Sequence, residues 1–181
     1  MITFALRVVN QLVLGKYLKL NIVKAANGVP AFDVAFRAWP IDLDTYFHIN
    51  NSCYFRTAEL SRWRIFPQSN MLSILAKKGA MFLVAEQTIK YIRPVGPFQK
   101  YIVRTSMSTT DNKWMNYKHT FIQHPDDVKS DKEPITYAVI DVKAVLKEKT
   151  GKTIKPEEFL SICNPLYKDM FTKEDTKEKE A

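Results

Sequence analysis

The chain has 181 residues and a formal net charge of +8 at pH 7, and 46% of its residues are hydrophobic. This length and composition fit one globular domain with extensions. Only 5 glycines are present, and neither G-x-G-x-x-G nor a Walker A motif occurs, which excludes the common glycine-rich phosphate loops. The positive charge suits an anionic partner such as a CoA phosphate or a lipid surface. No block of basic residues is interleaved with aromatics, so nucleic acid is not an expected partner.

The two cysteines, Cys53 and Cys163, have no C-x-x-C partner and no histidine at metal-ligand spacing. Structural zinc is therefore not expected. The pair predicts free thiols in a reducing compartment, with a single disulfide between them as the alternative.

Residues 1–30 form a basic, apolar segment in which no acidic residue precedes Asp33. A spanning helix needs about 20 mostly apolar residues, and polar side chains interrupt this segment too often for that. The pattern is typical of a mitochondrial presequence or of a helix lying on a membrane surface, and a helix packed on the domain or on a partner fits equally well. We expect a mitochondrial location, with the endoplasmic reticulum membrane or the cytoplasm as alternatives. Whether the segment is removed or stays as an anchor is left open. Its apolar positions recur at roughly helical spacing: Ile2, Leu6, Val9, Val13 and Leu20.

The first half of the remaining chain predicts one strand and two helices. The strand covers residues 32–39 and ends at Pro40. The long helix covers residues 51–66, with Asn50 or Asn51 as its cap, and apolar residues surround much of its surface, which indicates burial on several sides. A short helix near residues 70–78 ends at Gly79, a favourable C-terminal cap.

The second half alternates with a period of two and predicts consecutive antiparallel strands. A short helix follows from Pro156, and the charged tail from Lys168 is expected to be frayed or disordered. Together these elements predict an α+β domain in which a curved antiparallel sheet wraps around the long helix. The strand predictions are 82–93, 98–110, 114–123 and 135–147, with a turn at 111–113 and a polar loop at 124–133.

The residues suited to chemistry lie between positions 42 and 59, at the junction of the strand and the long helix. The amide hydrogens of a helix start and its partial positive charge suit an oxyanion that develops on an acyl carbonyl. A carboxylate beside them can attack the carbonyl or activate water. The segment therefore has the parts that an acyl-transfer hydrolase needs.

The same segment, D-L-D-T-Y-F-H-I-N-N-S-C-Y, resembles the D-x-D-x-x-x-H-x-N-N-x-x-Y signature of hotdog-fold thioesterases of the 4-hydroxybenzoyl-CoA and acyl-ACP thioesterase type. A second similarity is I-K-Y-I-R-P at residues 89–94. The order of elements agrees over residues 32–150. The resemblance implies the hotdog fold, a homodimer with its sheets joined side by side, and acyl-CoA sites at the dimer interface. The matching residues are Asp42, Asp44, His48, Asn50, Asn51, Tyr54 and Glu59.

The resemblance also implies the roles of individual residues. Asp44 matches the catalytic carboxylate, and the backbone amide of Asn51 matches the oxyanion donor. His48 belongs to the proposed catalytic set of acyl-ACP thioesterases, with a structural histidine as the alternative. Glu59 matches a helix acid that some subfamilies use, although an ion pair with a neighbouring arginine would explain it equally. The basic residues expected to bind the CoA phosphates are Lys90 and Arg93.

Two departures from the family pattern bear on activity. Tyr46 and Phe47 stand where relatives carry an asparagine or a glycine, and these aromatics would either shape or fill an acyl pocket. The spacing of Asp44 and His48 is no departure: they are four positions apart without an intervening proline, unlike the D-x-N-P-x-H pattern of hotdog hydratases, so a hydratase ranks below a thioesterase.

The sequence thus predicts hydrolysis of acyl-CoA or acyl-carrier thioesters without a cofactor, CoA entering only as part of the substrate. The alternative is an inactive hotdog subunit of a larger mitochondrial membrane complex. A third possibility is acyl-CoA binding without hydrolysis. Residues 1–30 are predicted to form an extension that contacts a membrane surface. The hotdog domain is predicted at 31–150, and a helix with a charged tail at 151–181.

Overall fold

The computed structural model describes residues 2–19, 21–24, 29–128, 132–163 and 171–173. Short 3-10 turns cover Pro40–Asp42 and Pro125–Asp127. The helices are α1 (Ile2–Tyr17), α2 (Asn51–Ile65), α3 (Met71–Lys78) and α4 (Pro156–Ile162). The strands are β1 (Asn21–Lys24), β2 (Pro30–Arg37), β3 (Ala80–Tyr91), β4 (Lys100–Thr110), β5 (Trp114–Gln123), β6 (Thr136–Glu148), β7 (Thr153–Ile154) and β8 (Phe171–Lys173).

The strands form one sheet in the order β1-β2-β4-β5-β6-β3, and all neighbours on this path are antiparallel. The predicted meander is therefore confirmed only for β4, β5 and β6. The strand predicted at 82–93 does not lie beside β4; it crosses to the far side and pairs with β6. The strand that the sequence predicted as its neighbour, β4, pairs instead with β2. This leaves β3 as a long edge strand.

The sheet encloses α2, and the hydrophobic core lies between them. Alternation along β5 shows how this core is built, because Met115, Tyr117 and Phe121 are buried while Lys118 on the other face is exposed. From α2, Tyr54 and Ile65 enter the same core. The predicted α+β class, with a curved sheet around the long helix, is confirmed.

The ends of the helices follow the predicted capping chemistry. The Asn50 side chain caps α2 by accepting a hydrogen bond from the Ser52 amide at 2.9 Å. Gly79 ends α3 in the left-handed conformation, with φ of 57°.

The charged tail differs in part from its prediction. Phe171–Lys173 forms β8, which pairs in parallel with Met107–Thr109 of β4, so these three residues are not frayed. They add backbone hydrogen bonds to a stretch of β4 beyond the residues that pair with β2. The other residues from 168 onward lie outside the described ranges.

The N-terminal helix α1 packs on α2 with Gln11 and Gly15 as its buried residues. Gly15 lies so close to α2 that a β-carbon there would be 2.2 Å from the Arg64 carbonyl oxygen. The Gln68 side-chain amide donates to the carbonyl oxygens of Gly15 and Leu18, both at 2.7 Å, and so fixes the C-terminal end of α1. No described helix is long and apolar enough to cross a membrane.

The outer side of α1 is apolar and exposed. An ordinary surface helix keeps its apolar residues on the side that faces the protein. In α1 apolar residues lie on both sides: Phe4, Val8 and Leu12 are partly buried beside Gln11 and Gly15, and a second apolar set is left in solvent. The exposed residues are Leu6, Val9, Val13, Tyr17 and Leu18.

Candidate active site

The segment between β2 and α2 is a closed loop. Leu43 and Ile49 form an antiparallel bridge, and the Asp44 amide donates to the His48 carbonyl at 3.0 Å. One step further out, the Asn50 amide donates to the Asp42 carbonyl at 2.9 Å. The loop therefore brings its two ends together at the first residue of α2.

The Asp44 carboxylate lies at the centre of this loop. Its Oδ1 accepts from the Tyr46 amide at 2.9 Å, and its Oδ2 lies 3.3 Å from Nδ1 of His48. The Asp44 side chain is 21% exposed, so the carboxylate is held by the loop and still meets solvent. A positioned carboxylate that water can reach is suited to nucleophilic or general-base chemistry.

The start of α2 supplies a free amide hydrogen. The cap residue Asn50 satisfies the Ser52 amide with its side chain and the Cys53 amide with its carbonyl oxygen. None of the hydrogen bonds among the described residues uses the Asn51 amide, and Asn51 is exposed. The positive end of the helix dipole adds to its suitability for a developing negative charge.

Two tyrosines border the loop; the sequence matched Tyr54 to the family signature without giving it a role, and it gave none to Tyr91. The rings of Tyr54 and Tyr91 meet edge to face, with centroids 5.5 Å apart, and the Tyr91 hydroxyl donates to the Asn51 carbonyl at 3.2 Å. Burial raises the pKa of Tyr54 to about 12, and the negative charge of Asp44 adds to this rise. Tyr54 therefore stays protonated at neutral pH.

Tyr46 and Phe47 do not fill the space beside Asp44 within the chain. They are 79% and 73% exposed, so both rings point into solvent. Phe47 has a φ of 59°, a left-handed conformation that favours glycine. The backbone geometry thus explains why a glycine is suited to this position, and Phe47 adopts the same conformation at a cost in strain.

Three of the predicted site residues lie apart from the loop. Glu59 lies in the second half of α2 and accepts from Nε1 of Trp63 at 3.3 Å. Lys90 and Arg93 are exposed on and just after the edge strand β3, and no hydrogen bond of their side chains is found among the described residues. Their roles as helix acid and phosphate ligands stay predictions.

The alternative of a local ion pair at Glu59 is wrong. Arg56 donates to Sγ of Cys53 at 2.6 Å, and Arg62 turns inward to Nε2 of His119 at 3.0 Å. The salt bridges among the described residues include none to Glu59.

A polar cluster lies buried between α2 and the sheet. The Ser61 and Thr105 hydroxyls are 3.0 Å apart, and the Thr105 hydroxyl lies 2.8 Å from Nδ1 of His119, whose Nε2 meets Arg62. Burial, with a further contribution from the positive charge of Arg62, lowers the pKa of His119 well below 6.5. The sequence held one signal for it, since His119 alternates with the core residues Tyr117 and Phe121.

A second aspartate–histidine pair occurs outside this loop. Nδ1 of His124 lies 3.3 Å from Oδ2 of Asp126, the same separation as in the pair of His48 and Asp44. Asp126 is 64% exposed and also contacts Lys100. Its pair is therefore a natural internal control for the candidate site.

With this geometry established, the comparisons with known proteins identify the family. A family model described as "Thioesterase-like superfamily" matches residues 38–161. The chain belongs to the thioesterase-like superfamily.

Two curated relatives are similar in sequence. Protein THEM6 of Xenopus laevis is 32% identical over 88 residues, which cover 49% of this chain and 42% of that protein. Probable thioesterase YBR096W of Saccharomyces cerevisiae is 31% identical over 137 residues, which cover 75% of this chain and 56% of that protein. The chain thus spans about half the length of the curated relatives that it matches.

Solved structures confirm the hotdog fold. YbaW, a probable thioesterase from Escherichia coli, superposes with a TM-score of 0.64 at 19% identity, covering 76% of this chain and 97% of that one. A mutant 4-hydroxybenzoyl-CoA thioesterase in complex with 4-hydroxybenzoyl-CoA superposes with a TM-score of 0.63 at 10% identity, covering 74% and 99%. At these identities the likeness concerns the fold alone.

Proposed function

We propose that this chain hydrolyses acyl-CoA thioesters at Asp44. The observation that supports this most is the closed loop, which holds a solvent-accessible carboxylate beside a helix start with a free amide. Membership of the thioesterase-like superfamily supports the same reaction class. This chemistry requires no cofactor. That the protein uses none stays a prediction.

In the proposed reaction the thioester carbonyl carbon is attacked either by the Asp44 carboxylate or by a water molecule that Asp44 deprotonates. The Asn51 amide donates a hydrogen bond to the carbonyl oxygen as it becomes negative. The carbon–sulfur bond then breaks, and the CoA thiolate takes up a proton. In the direct route water hydrolyses the acyl–Asp44 anhydride in a second step, so both routes consume one water and release a carboxylic acid.

The test is the turnover of a panel of acyl-CoAs of different chain lengths by the pure protein, measured by release of free CoA thiol. Asp44→Ala should lower kcat/KM by about 100-fold or more, the loss typical of a general acid or base. Asp126→Ala is the matched control, because it removes an aspartate at the same distance from a histidine. Equal activity of the Asp44 and Asp126 variants, above the background of a mock preparation, would exclude this mechanism.

The alternative of an inactive subunit was motivated partly by crowding from Tyr46 and Phe47. Both side chains point into solvent, so this motivation is weaker than the sequence suggested. If the wild-type protein binds acyl-CoA and forms no product, the result favours acyl-CoA binding without hydrolysis. Co-migration with a larger assembly in native extracts, without turnover of any acyl-CoA, would favour the structural one.

We further propose that two copies of the chain join through β3. This strand has 12 residues, pairs with β6 on one side only, and leaves apolar residues such as Met81, Leu83 and Val84 exposed. A long exposed edge strand is a template for pairing with another chain, and a symmetric pair of β3 strands would satisfy both edges.

Leu83→Lys tests the dimer by placing a charge on that edge, and light scattering on a sizing column gives the mass. The wild type should elute as a dimer and the variant as a monomer at micromolar concentration. Ile22→Lys is the matched control, because Ile22 is an exposed aliphatic residue on the opposite edge strand β1. A monomeric wild type, or a variant that remains dimeric, would contradict the proposal.

The exposed apolar side of α1 is proposed to lie on a membrane surface. Its aliphatic residues are exposed, and basic residues such as Lys16 and Lys19 suit anionic lipid head groups. The double variant Val9→Asn/Val13→Asn should partition at least about tenfold more weakly onto phosphatidylserine vesicles. Ile162→Asn, at an exposed apolar position of α4, should not change binding, and equal binding of all three proteins would exclude this surface. The mitochondrial location stays a prediction that fractionation tests.

A further inference from the structure

A contact outside the signature segment links α1 to the candidate site. Nη1 of Arg7 donates to Oδ1 of Asp42 at 2.7 Å, and Nη2 donates to Oδ2 at 3.3 Å. The Asp42 side chain is 10% exposed and that of Arg7 33%, so the carboxylate is largely shielded from water while the guanidinium stays partly accessible. A two-point contact between a guanidinium and a carboxylate fixes orientation as well as position.

Asp42 in turn holds the base of the loop. Its Oδ2 also accepts from the Trp39 amide at 3.1 Å, and its carbonyl oxygen accepts from the Asn50 amide at 2.9 Å. Asp42 thus touches the strand side of the loop with its side chain and the helix side with its backbone. Asp44 is two residues further along, and Asn51 directly follows Asn50.

Contacts elsewhere on α1 fix the position of Arg7. Gln68 binds the C-terminal end of α1, and the close contact at Gly15 sets the separation of α1 and α2. The other arginine in the same cleft, Arg56, is directed to the Cys53 thiol. The position of α1 on α2 therefore determines where the guanidinium of Arg7 meets the loop.

We propose that Arg7 is a positioning residue for the candidate site: through Asp42 it holds the loop that carries Asp44 and the amide of Asn51. For its effect on turnover the inference rests on the proposed hydrolysis at Asp44. Arg7 does not touch the reacting atoms, and it acts by limiting how far the loop opens.

The primary test is hydrogen–deuterium exchange of the segment 42–50 in Arg7→Met, which needs no substrate. Loss of a charge-assisted hydrogen bond should speed exchange of the Asp44, Ile49 and Asn50 amides by roughly tenfold. Lys16→Met is the matched control, since it removes the same charge from the exposed side of the same helix, and it should leave these amides unchanged. Equal exchange in the two variants overturns the proposal.

The kinetic readout separates positioning from simple loss of structure. Arg7→Met should lower kcat by roughly tenfold with little change in KM, because the misplaced groups act on the reacting carbonyl. Arg7→Lys should recover part of this loss. Guanidinium at millimolar concentration should also restore kcat in Arg7→Met, because Arg7 and Asp42 line an open cleft of about 160 Å³ that a small cation can enter.

An unchanged kcat in Arg7→Met, or a loss that appears only in KM, overturns the proposed effect on turnover. If the wild-type protein hydrolyses no acyl-CoA, the proposed function fails, and the exchange experiment still decides whether Arg7 holds the loop. A variant that does not fold is replaced by Arg7→Lys, for which the same exchange and kinetic comparisons apply.

Discussion

The closed loop at the start of α2 and the polar cluster behind the second half of α2 both contain a histidine, but in opposite surroundings. His48 is part-exposed and paired with a carboxylate, whereas His119 is fully buried and meets a hydroxyl and a guanidinium. Water and substrate can reach the first group and not the second. The difference indicates that the loop is available for chemistry, while the buried cluster fixes the helix against the sheet.

The largest effect on stability is expected from the buried histidine. His119→Leu removes hydrogen-bond partners from Thr105 and Arg62 inside the core, so the free energy of unfolding should fall by about 1–3 kcal/mol. Urea unfolding measures this change. Turnover per folded molecule should stay within about twofold of the wild type, and a tenfold loss of kcat would place His119 in the chemistry instead.

The pH dependence of stability sharpens the same contrast. His119 has a folded-state pKa well below its unfolded value of 6.5, because burial and Arg62 disfavour its charged form. Its contribution to stability is therefore complete above pH 6.5 and is lost as the pH falls toward the folded-state pKa, by about 1.4 kcal/mol per pH unit.

The measurement is the difference in the free energy of unfolding between wild type and His119→Leu at pH 7 and at pH 5.5. This difference should shrink by about 1 kcal/mol, since the variant lacks the group that titrates. A difference that is constant over this range would contradict burial of a neutral imidazole at this position.

At the exposed histidine a substitution should change activity and leave stability almost unchanged. His48→Gln removes the ring that contacts the Asp44 carboxylate, so kcat/KM should fall by about tenfold, while the free energy of unfolding changes by less than about 0.5 kcal/mol. His124→Gln is the matched control, because His124 lies at the same distance from Asp126. If both substitutions lower activity equally, the contact between His48 and Asp44 has no specific role in turnover.

The smallest effect is expected at the loop tip. Phe47→Gly relieves a left-handed phenylalanine, and the gain is partly offset by the greater entropy of glycine in the unfolded chain, so stability should rise by about 0.5 kcal/mol. Thermal unfolding under conditions where the protein is monomeric shows whether the stability rises or falls. A decrease would mean that the exposed ring makes contacts that offset its backbone strain.

Much of the fold was predictable because its signals are local. The cap at Asn50, the left-handed Gly79 and the alternation of β5 follow from residues within a few positions of one another. The place of β3 beside β6 was not predictable in this way, since neither strand carries a local mark of its partner. Pairing of distant strands depends on the closed shape of the whole sheet.

In the candidate site, too, features built from residues close in the sequence were predictable, and contacts between distant residues were not. The signature residues from Asp42 to Tyr54 are contiguous, and the sequence identified them. Arg7 is 35 positions from Asp42, and Arg62 is 57 positions from His119, so neither contact had a local signal. The exposed orientation of Tyr46 and Phe47 was likewise left open, because a side chain's direction in a loop depends on backbone dihedrals that the residue types alone do not fix.

The Arg7–Asp42 pair has a practical consequence for how the domain is delimited. The matched family region begins at residue 38, so a chain trimmed to 38–161 keeps the whole signature segment but loses Arg7 and also the strand β2 that pairs with β4. In that fragment the shielded carboxylate of Asp42 would have to recruit water or another cation in place of its partner. An inert fragment would thus report the loss of this strand as well as of a counter-ion, and the proposed role of Arg7 moves the functional boundary of this domain into α1, upstream of the boundary that sequence similarity draws.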